Sequence, residues 1–376
     1  MMRALEMSLN GKDRLLVLAP HPDDESLATG GLIQRATRLG LPVKVVFLTN
    51  GENNPWAQRI VERRWRIGSA DQQRWGELRQ AEVRSALNRL GHDIAPIFLN
   101  LPDQGLTKLL LSSPGEMIQP VLDQIETFAP TVIALPCLQD AHADHSATRV
   151  AALYALIHAE RFPRLLSYVV HQPRKALRLP AQPIVLSEAE RLIKLSAIHC
   201  HESQLHVLPH RFTRFAQREE AFRSDENALA LTIGARLSFS RSEDTAALGW
   251  GAWQLPTSAT EVLFSFLLTS SKAVGWRLSL RGREAGFLAN LTSNHVLGRV
   301  QVKREGDAVS CPLPLTWLPD CSAGYVKIGY RAVFFDPAGW FPIPLETWRA
   351  GMDNGCSPQP TAQVEAPRGR KAKLDR

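Results

Sequence analysis

Leu15-Leu16-Val17-Leu18-Ala19-Pro20-His21-Pro22-Asp23-Asp24-Glu25 is the stretch that decides how this chain reads. Its apolar half has no polar alternation, as expected of a strand covered on both faces in a parallel sheet. Just past a proline, the run turns into an imidazole and carboxylates. Open α/β sheets bind their ligands beyond the carboxyl ends of such strands. The residues that follow, Ser26 to Leu39, carry Leu27, Leu32, Ile33 and Leu39 and predict a helix entered through Gly30-Gly31. Strand, polar crest and helix are the parts of a site.

The same alternation continues for about 220 residues. Pro42 to Gly51 is a second buried strand ending in a polar turn, followed by a polar and aromatic insertion from Glu52 to Glu77. Leu78, Ala81, Val83, Ala86, Leu87 and Leu90 form a helical stripe that predicts a helix over Gly76 to Gly91. Ile94 to Leu99 is a third strand, running into Pro102-Asp103-Gln104-Gly105, and Met117 to Phe128 a further helix. Thr131 to Pro136 is a fourth strand, which breaks into Gln139-Asp140-Ala141-His142-Ala143-Asp144-His145 ahead of a helix from Ser146 to Ala159. Strands alternating with helices argue an α/β fold, a Rossmann-like, doubly wound, mostly parallel sheet. After about Asp225 short β-type runs replace the helical stripes: 229–237, 261–269, 275–281, 299–303 and 325–335. Turns at Arg304-Glu305-Gly306-Asp307 and Asp336-Pro337-Ala338-Gly339 separate them. The expected layout is an α/β domain over 12–224, a small all-β, sandwich-like domain over 228–350, and a disordered basic tail over 351–376. Its tryptophans, Trp250, Trp253, Trp276, Trp317, Trp340 and Trp348, read as sandwich core, with a carbohydrate platform as the alternative.

With 376 residues, 44% of them hydrophobic and 22% charged, the chain can build two cores in the manner of a soluble globular protein. No apolar run is long enough to span a membrane, and the N-terminus lacks the apolar region of a signal peptide. The cysteines at 137, 200, 311, 321 and 356 show no paired or metal-knuckle spacing, so free thiols in a cytoplasmic protein are expected, with Cys311 and Cys321 as neighbours in a hairpin. The net charge of +7, partly from Arg368 to Lys373, permits an anionic partner and at most peripheral membrane contact. No pattern supports nucleic acid.

Three strand ends deliver reactive side chains: His21, Asp23 and Asp24; Asp103; and His142, Asp144 and His145. His21 and Asp24, three apart across a turn, can point to one side. A third nitrogen from another strand end would complete two imidazoles and a carboxylate with open positions, the donor set of a catalytic zinc or iron site. Asp23 would then stand beside the metal's water as general base. His142 would lie opposite as oxyanion stabiliser or acid.

These residues also resemble the PIG-L/LmbE family of metal-dependent N-deacetylases, which act on N-acetylglucosamine units. The resemblance covers about residues 12–222. Its hallmark Pro-His-Pro-Asp-Asp-Glu stands at Pro20 to Glu25, and its His-x-Asp-His at His142 to His145. Thr49-Asn50-Gly51-Glu52 is similar to the turn after the second strand, with Asn50 where the family often has Asp. Arg79 with Glu82, Leu101-Pro102-Asp103, and Lys194, Ala197, His201, Ser203 and Gln204 resemble further motifs in the same order. The resemblance implies that His21, Asp24 and His145 bind the metal, Zn2+ or another divalent ion such as Fe2+, and that Asp23 is the base. It further implies that His142 polarises the carbonyl and helps protonate the leaving amine, with Asp144 orienting it.

The insertion carries Trp56, Arg63, Arg64, Trp65 and Trp75 directly after a site-forming turn. It reads as a lid whose tryptophans stack on sugar and whose arginines hold phosphate or carboxylate; a surface helix with solvated arginines is the alternative. The expected substrate-binding residues are Glu52, Trp56, Arg63, Arg64, Arg79, Asp103, His201 and Gln204. The function expected is removal of the acetyl group from an N-acetylhexosamine of a glycan or anionic glycolipid, such as an envelope intermediate. A small glucosaminyl thiol conjugate is the alternative within the class. A non-haem iron oxygenase and a glycan-binding protein without turnover are the rivals outside it.

Overall fold

The computed structural model describes residues 9–171, 182–223, 237–251, 260–281, 285–305, 308–329 and 339–345. The opening apolar run is β1 (Leu15–Ala19), buried at every position. It pairs in parallel with β2 (Val43–Thr49) on one side and β4 (Val132–Pro136) on the other. With β3 (Pro96–Leu101) and β5 (Arg164–Tyr168) outside these, the five-stranded parallel sheet has the order β3-β2-β1-β4-β5. The strand order reverses between β1 and β4, which is where doubly wound sheets open a crevice.

The helices covering this sheet differ in detail from the sequence reading. The helix expected from Ser26 is α1 (Asp24–Arg38), so the paired glycines lie inside it rather than at its entry. A Cβ at Gly31 would overlap Leu186, and one at Gly30 would press on Lys194, so these glycines admit close packing. The insertion folds as α2 (Pro55–Glu62) and the first turns of α3 (Ser69–Leu90). The latter begins well before Gly76 because Asp71 accepts a hydrogen bond from the Gly68 N–H at 3.0 Å and Trp75 is wholly buried. The third strand lies two residues beyond its expected start. Helix α4 (Leu106–Ser112), which the sequence reading missed, buries Leu106, Leu110 and Leu111. α5 (Pro114–Phe128) and α6 (Ala143–His158) follow. A small hairpin of β6 (Gln182–Val185) and β7 (Glu219–Phe222) encloses α7 (Glu188–His199), α8 (Glu202–Leu205) and α9 (Pro209–Thr213).

The remaining strands form two antiparallel sheets. One has β13 (His295–Gln301), β12 (Ala285–Asn290), β11 (Ala273–Arg281), β10 (Glu261–Leu268), β16 (Cys321–Gly329) and β17 (Phe341–Pro342) in that order. The other has β14 (Lys303–Glu305), β15 (Ala308–Pro314), β9 (Thr245–Gly251) and β8 (Leu237–Arg241). Trp250, Val309 and Cys311 from the smaller sheet share a core with Phe264, Phe266 and Trp276 from the larger. Trp250 and Trp276, with Trp317 packed against the same core and Trp340 buried against the α/β domain, are therefore packing residues and not an exposed carbohydrate platform. Cys311 and Cys321 sit in different sheets and are free thiols, which corrects the hairpin expectation. The expected strand at 229–236, the Asp336-Pro337-Ala338 turn, Trp253, Trp348, Cys356 and the tail from 351 lie outside the described residues.

The sandwich bears on the loop after β4. The Trp340 N–H donates to the Leu138 carbonyl at 2.9 Å, Gln139 Nε2 donates to the Trp340 carbonyl at 3.3 Å, and Lys327 Nζ donates to Ser146 Oγ at 3.4 Å. On the opposite face, Lys194 and Glu220 form a buried ion pair at 2.6 Å, and Glu220 also accepts from the N–H groups of Gly31 and Leu32. Removing one partner of a buried pair strands the other charge. Lys194→Met is expected to lower unfolding stability by roughly 3–5 kcal/mol in a urea titration, and Lys194→Met with Glu220→Gln by clearly less.

Candidate active site

Two strand ends at the switch point meet face to face. After β1, the chain turns through Asp23 at φ 141°, a conformation that L residues rarely adopt, with its N–H donating to Glu25 Oε2 at 3.0 Å. Strain of this kind persists only where the surroundings over-determine it, and it concentrates at functional sites. Asp24 Oδ2 accepts from the His21 N–H at 2.9 Å, which folds the carboxylate back towards the imidazole. After β4, His142 caps α6 and His145 lies in its first turn.

The result is a tight triangle. His21 Nδ1 lies 3.2 Å from His145 Nε2, Asp24 Oδ2 lies 3.5 Å from His21 Nδ1, and it lies 3.3 Å from His145 Nε2. Three ligands on one ion at bond lengths of about 2.1 Å stand roughly 3.0–3.4 Å apart, so this donor set fits a divalent cation. Two other sets share His21: one with His142 and His145, the other with Asp103 and Asp144, each within 4.8 Å. The far sides of the first triangle are already supported. His145 Nδ1 faces Asp140 Oδ2 at 3.3 Å, while His21 Nε2 faces Asp103 Oδ1 at 3.2 Å and Asp144 Oδ2 at 3.3 Å. Carboxylates behind metal-binding imidazoles fix the ring and its basicity.

The electrostatics point the same way. Burial opposes an imidazolium at His21, yet hydrogen bonds to Asp103, Asp144 and Asp24 raise its pKa well above the usual value. Burial opposes it at His145 too, where Asp24 and Asp140 raise the pKa to about 9. Asp24 is held well below the ordinary carboxylate range, against burial, by His145 and His21. Asp103, beside His21, and Asp140, beside His145, are each held to about 2 against the same desolvation. The site is built to take positive charge.

Asp23 is the exception. Burial lifts its carboxyl to about 6, opposed chiefly by Arg79. Arg79, itself buried, donates to Asp23 Oδ2 at 2.9 Å, to the Gly51 carbonyl at 3.0 Å and to the Pro22 carbonyl. Gly51 has φ 62°, and a Cβ there would overlap the guanidinium, so the glycine after β2 makes room for the arginine that holds Asp23. His142 is pushed well below the usual imidazole range by burial, then by its histidine neighbours. Its Nδ1 accepts from the Asp144 N–H at 3.2 Å, which assigns the remaining proton to Nε2.

A cavity of about 140 Å³ is lined by His21, Asp23, Arg79, Asp103, His142 and Gln204, among others. Several expected substrate-binding residues stand elsewhere. Trp56 is 68% exposed, with Arg59 over its ring at 5.3 Å, and Arg64 pairs with Asp71 at 2.8 Å. Arg63 is the left-handed cap of α2. None of the three is in the cavity lining, so the arginine-rich helix is a surface element in this structure. Glu52 accepts from the Asp103 N–H at 2.8 Å and supports that turn. His201 is wholly buried against Glu25 at 3.0 Å. Asp144 meets His142 through its backbone, while its carboxylate accepts from the N–H groups of Gln104 and Leu106 and faces His21. Sequence reasoning missed Asp140, His171 and Arg211. Asp140 stood in the quoted polar run, and its place two residues before His142 was a usable signal. His171 and Arg211 belong to no motif.

The family model described as PIG-L, GlcNAc-PI de-N-acetylase, matches residues 16–156. Over that segment the chain is similar to the PIG-L family. A Bacillus anthracis protein named probable N-acetyl-alpha-D-glucosaminyl L-malate deacetylase 2 is 28% identical over 206 residues, covering 52% of this chain and 83% of its own. A Mycobacteroides abscessus 1D-myo-inositol 2-acetamido-2-deoxy-alpha-D-glucopyranoside deacetylase is 40% identical over 87 residues, 23% of this chain and 29% of its own. This chain thus spans under a third of that relative's length. The structure of N,N'-diacetylchitobiose deacetylase from Pyrococcus horikoshii overlaps 58% of this chain and 85% of its own with a TM-score of 0.45 at 19% identity. Among the described residues no helix is long and apolar enough to cross a membrane.

The triangle and its supporting carboxylates make graded predictions for metal binding. In calorimetric titration with Zn2+, His145→Ala is expected to abolish the high-affinity event. Asp103→Asn is expected to weaken it by about 10- to 100-fold.

Proposed function

We propose that the protein is a divalent-metal-dependent hydrolase that removes the acetyl group from the 2-acetamido nitrogen of a glucosamine unit in a small conjugate. The observation that carries this reading is Asp23: a buried, strained carboxylate, ion-paired with Arg79, in the same cavity as His21 and next in sequence to Asp24. His21, Asp24 and His145 would hold the cation, whether zinc or another divalent ion such as Fe2+. When bound, it would supply charge that acidifies water and polarises an amide carbonyl.

The chain's own groups then divide the work. Asp23 accepts a proton from the attacking water, whose oxygen bonds to the acetyl carbon. The His142 Nε2–H donates to the oxyanion that develops, a contribution worth about 3–4 kcal/mol for such donors elsewhere. The C–N bond breaks, and the leaving nitrogen takes a proton. His142 is neutral and its Nδ1 is occupied by the Asp144 N–H, which favours Asp23 as the source of that proton. Acetate and a free amine result. Arg79 keeps the Asp23 carboxylate in place throughout.

The names of the relatives, a glucosaminyl malate and a glucosaminyl inositol deacetylase, support a single sugar on a small polar group over an envelope glycolipid. So does the surface position of Arg63 and Arg64, whose expected grip on an anionic glycolipid was the argument for the larger substrate. The described cysteines are all free, which supports a reducing, cytoplasmic setting.

Acetate release from N-acetylglucosaminyl conjugates tests the reading. Asp23→Asn is expected to lower kcat by about 10²- to 10⁴-fold while zinc affinity stays within a few-fold of wild type. Full activity in that variant would remove Asp23 from the chemistry. Arg79→Gln carries a sign as well. Losing the guanidinium destabilises the Asp23 carboxylate, so the acid limb of kcat/KM should move to higher pH. An unmoved limb would separate Arg79 from the base.

A further inference from the structure

One wall of the cavity comes from a segment without a family motif. Leu208, Arg211, Phe212 and Phe215, in and around the short helix α9, join Val170 and His171 from the end of β5. Arg211 Nη2 donates to His171 Nδ1 at 2.6 Å. The His171 ring in turn lies 5.0 Å from that of His142 and 4.9 Å from that of His145, centroid to centroid. Arg211 therefore stands one imidazole away from the reacting centre, half-buried, with a charge it does not lose.

Among the described residues no carboxylate pairs with that charge. An imidazole is neutral or positive and cannot offset a guanidinium. The carboxylates whose field reaches Arg211, Asp23 and Asp140, are both engaged. Asp23 pairs with Arg79 at 2.9 Å. Asp140 accepts from the N–H groups of His142, Val170 and His171 and faces His145. Among the described residues no carboxylate forms an ion pair with Arg211, and residues 172–181, which follow His171, contain no Asp or Glu. A guanidinium held by an imidazole at a cavity wall, with donors to spare and no counter-charge among the described residues, suits planar recognition of an anion.

We propose that Arg211 binds an anionic group, a carboxylate or phosphate, on the aglycone at C1 of the substrate sugar, with Leu208, Phe212 and Phe215 covering the uncharged part of that aglycone. This rests on the deacetylase reading and narrows its substrate class. Distance limits the anion to a ring neighbour of C2, and of the two neighbours C1 is the one that carries the aglycone in the conjugates named for the relatives. The scissile acetamide is on C2, so a group on C1 is its neighbour and can reach an arginine one imidazole away from His142. A charge on C6 lies across the ring.

The test compares three conjugates, N-acetylglucosaminyl malate, N-acetylglucosamine 1-phosphate and the neutral N-acetylglucosaminyl inositol, with wild type, Arg211→Gln and Arg211→Lys. For wild type, kcat/KM should favour at least one anionic conjugate over the neutral one. In Arg211→Gln that ratio should fall roughly 10- to 100-fold, mainly through KM, and Arg211→Lys should restore part of it. The better of malate and phosphate identifies the anion. A ratio within twofold of wild type in Arg211→Gln overturns the proposal, as does a wild-type preference for the neutral conjugate. Calorimetric binding of both anionic deacetylated products, glucosaminyl malate and glucosamine 1-phosphate, separates this claim from the parent reading, and unchanged affinity means unchanged for both. Affinity lost in Arg211→Gln and regained in Arg211→Lys, with no acetate released from any conjugate, supports Arg211 and defeats the deacetylase reading. Acetate release with unchanged product affinity does the reverse.

Discussion

Buried negative charge in excess of buried positive charge is the constraint around which this structure is arranged. Asp24, Asp103, Asp140 and Asp144 are all buried, and all four face His21 or His145. Desolvating that many carboxylates is costly unless hydrogen bonds and a cation answer them. Backbone amides supply part of the answer. Asp144 takes the N–H groups of Gln104 and Leu106, and Asp140 those of His142, Val170 and His171. In doing so these acids tie the loops after β3, β4 and β5 to one point. The rest of the answer is positive charge at the His21, Asp24 and His145 triangle.

Asp23 sits beside this arrangement in a different environment, which is the ground for proposing it as the base. Its neighbour Asp24 is pulled down by two imidazoles, whereas Asp23 is lifted by burial and restrained by one arginine. Adjacent carboxylates driven apart in proton affinity are a pattern of acid–base sites. The arrangement draws on three elements: the strained turn after β1, Gly51 after β2, and Arg79 in α3. The sandwich contributes from outside, since Trp340 and Lys327 hold the chain on either side of His142 and His145.

What could be read from sequence was what covalent neighbours carry. The β1 run, the His21 to Glu25 turn and the His142 to His145 turn each fit within a dozen residues, and periodicity placed them at strand ends. Asp140 was visible as a residue but not as a support, because its partners lie some 30 positions away at Val170 and His171. Arg211 was invisible, since a five-residue helix has no periodicity to read. The arginines of the insertion misled because composition does not say which way a helix faces. Arg64 answers Asp71, and Arg74 answers Glu62 and Asp71, all on the outer surface. Lys194, part of a recognised motif, proved to be a buried partner of Glu220 that packs α7 against α1.

The central claim is that the two strand ends build one cation site with Asp24 as its carboxylate. Crystals grown with Zn2+ and measured on both sides of the zinc absorption edge test it directly. The account predicts one strong anomalous peak in the crevice, within about 2.0–2.3 Å of His21 Nδ1, Asp24 Oδ2 and His145 Nε2, with Asp23 outside bonding distance. A peak held by His142 in place of Asp24, or centred between His21, Asp103 and Asp144, would contradict it.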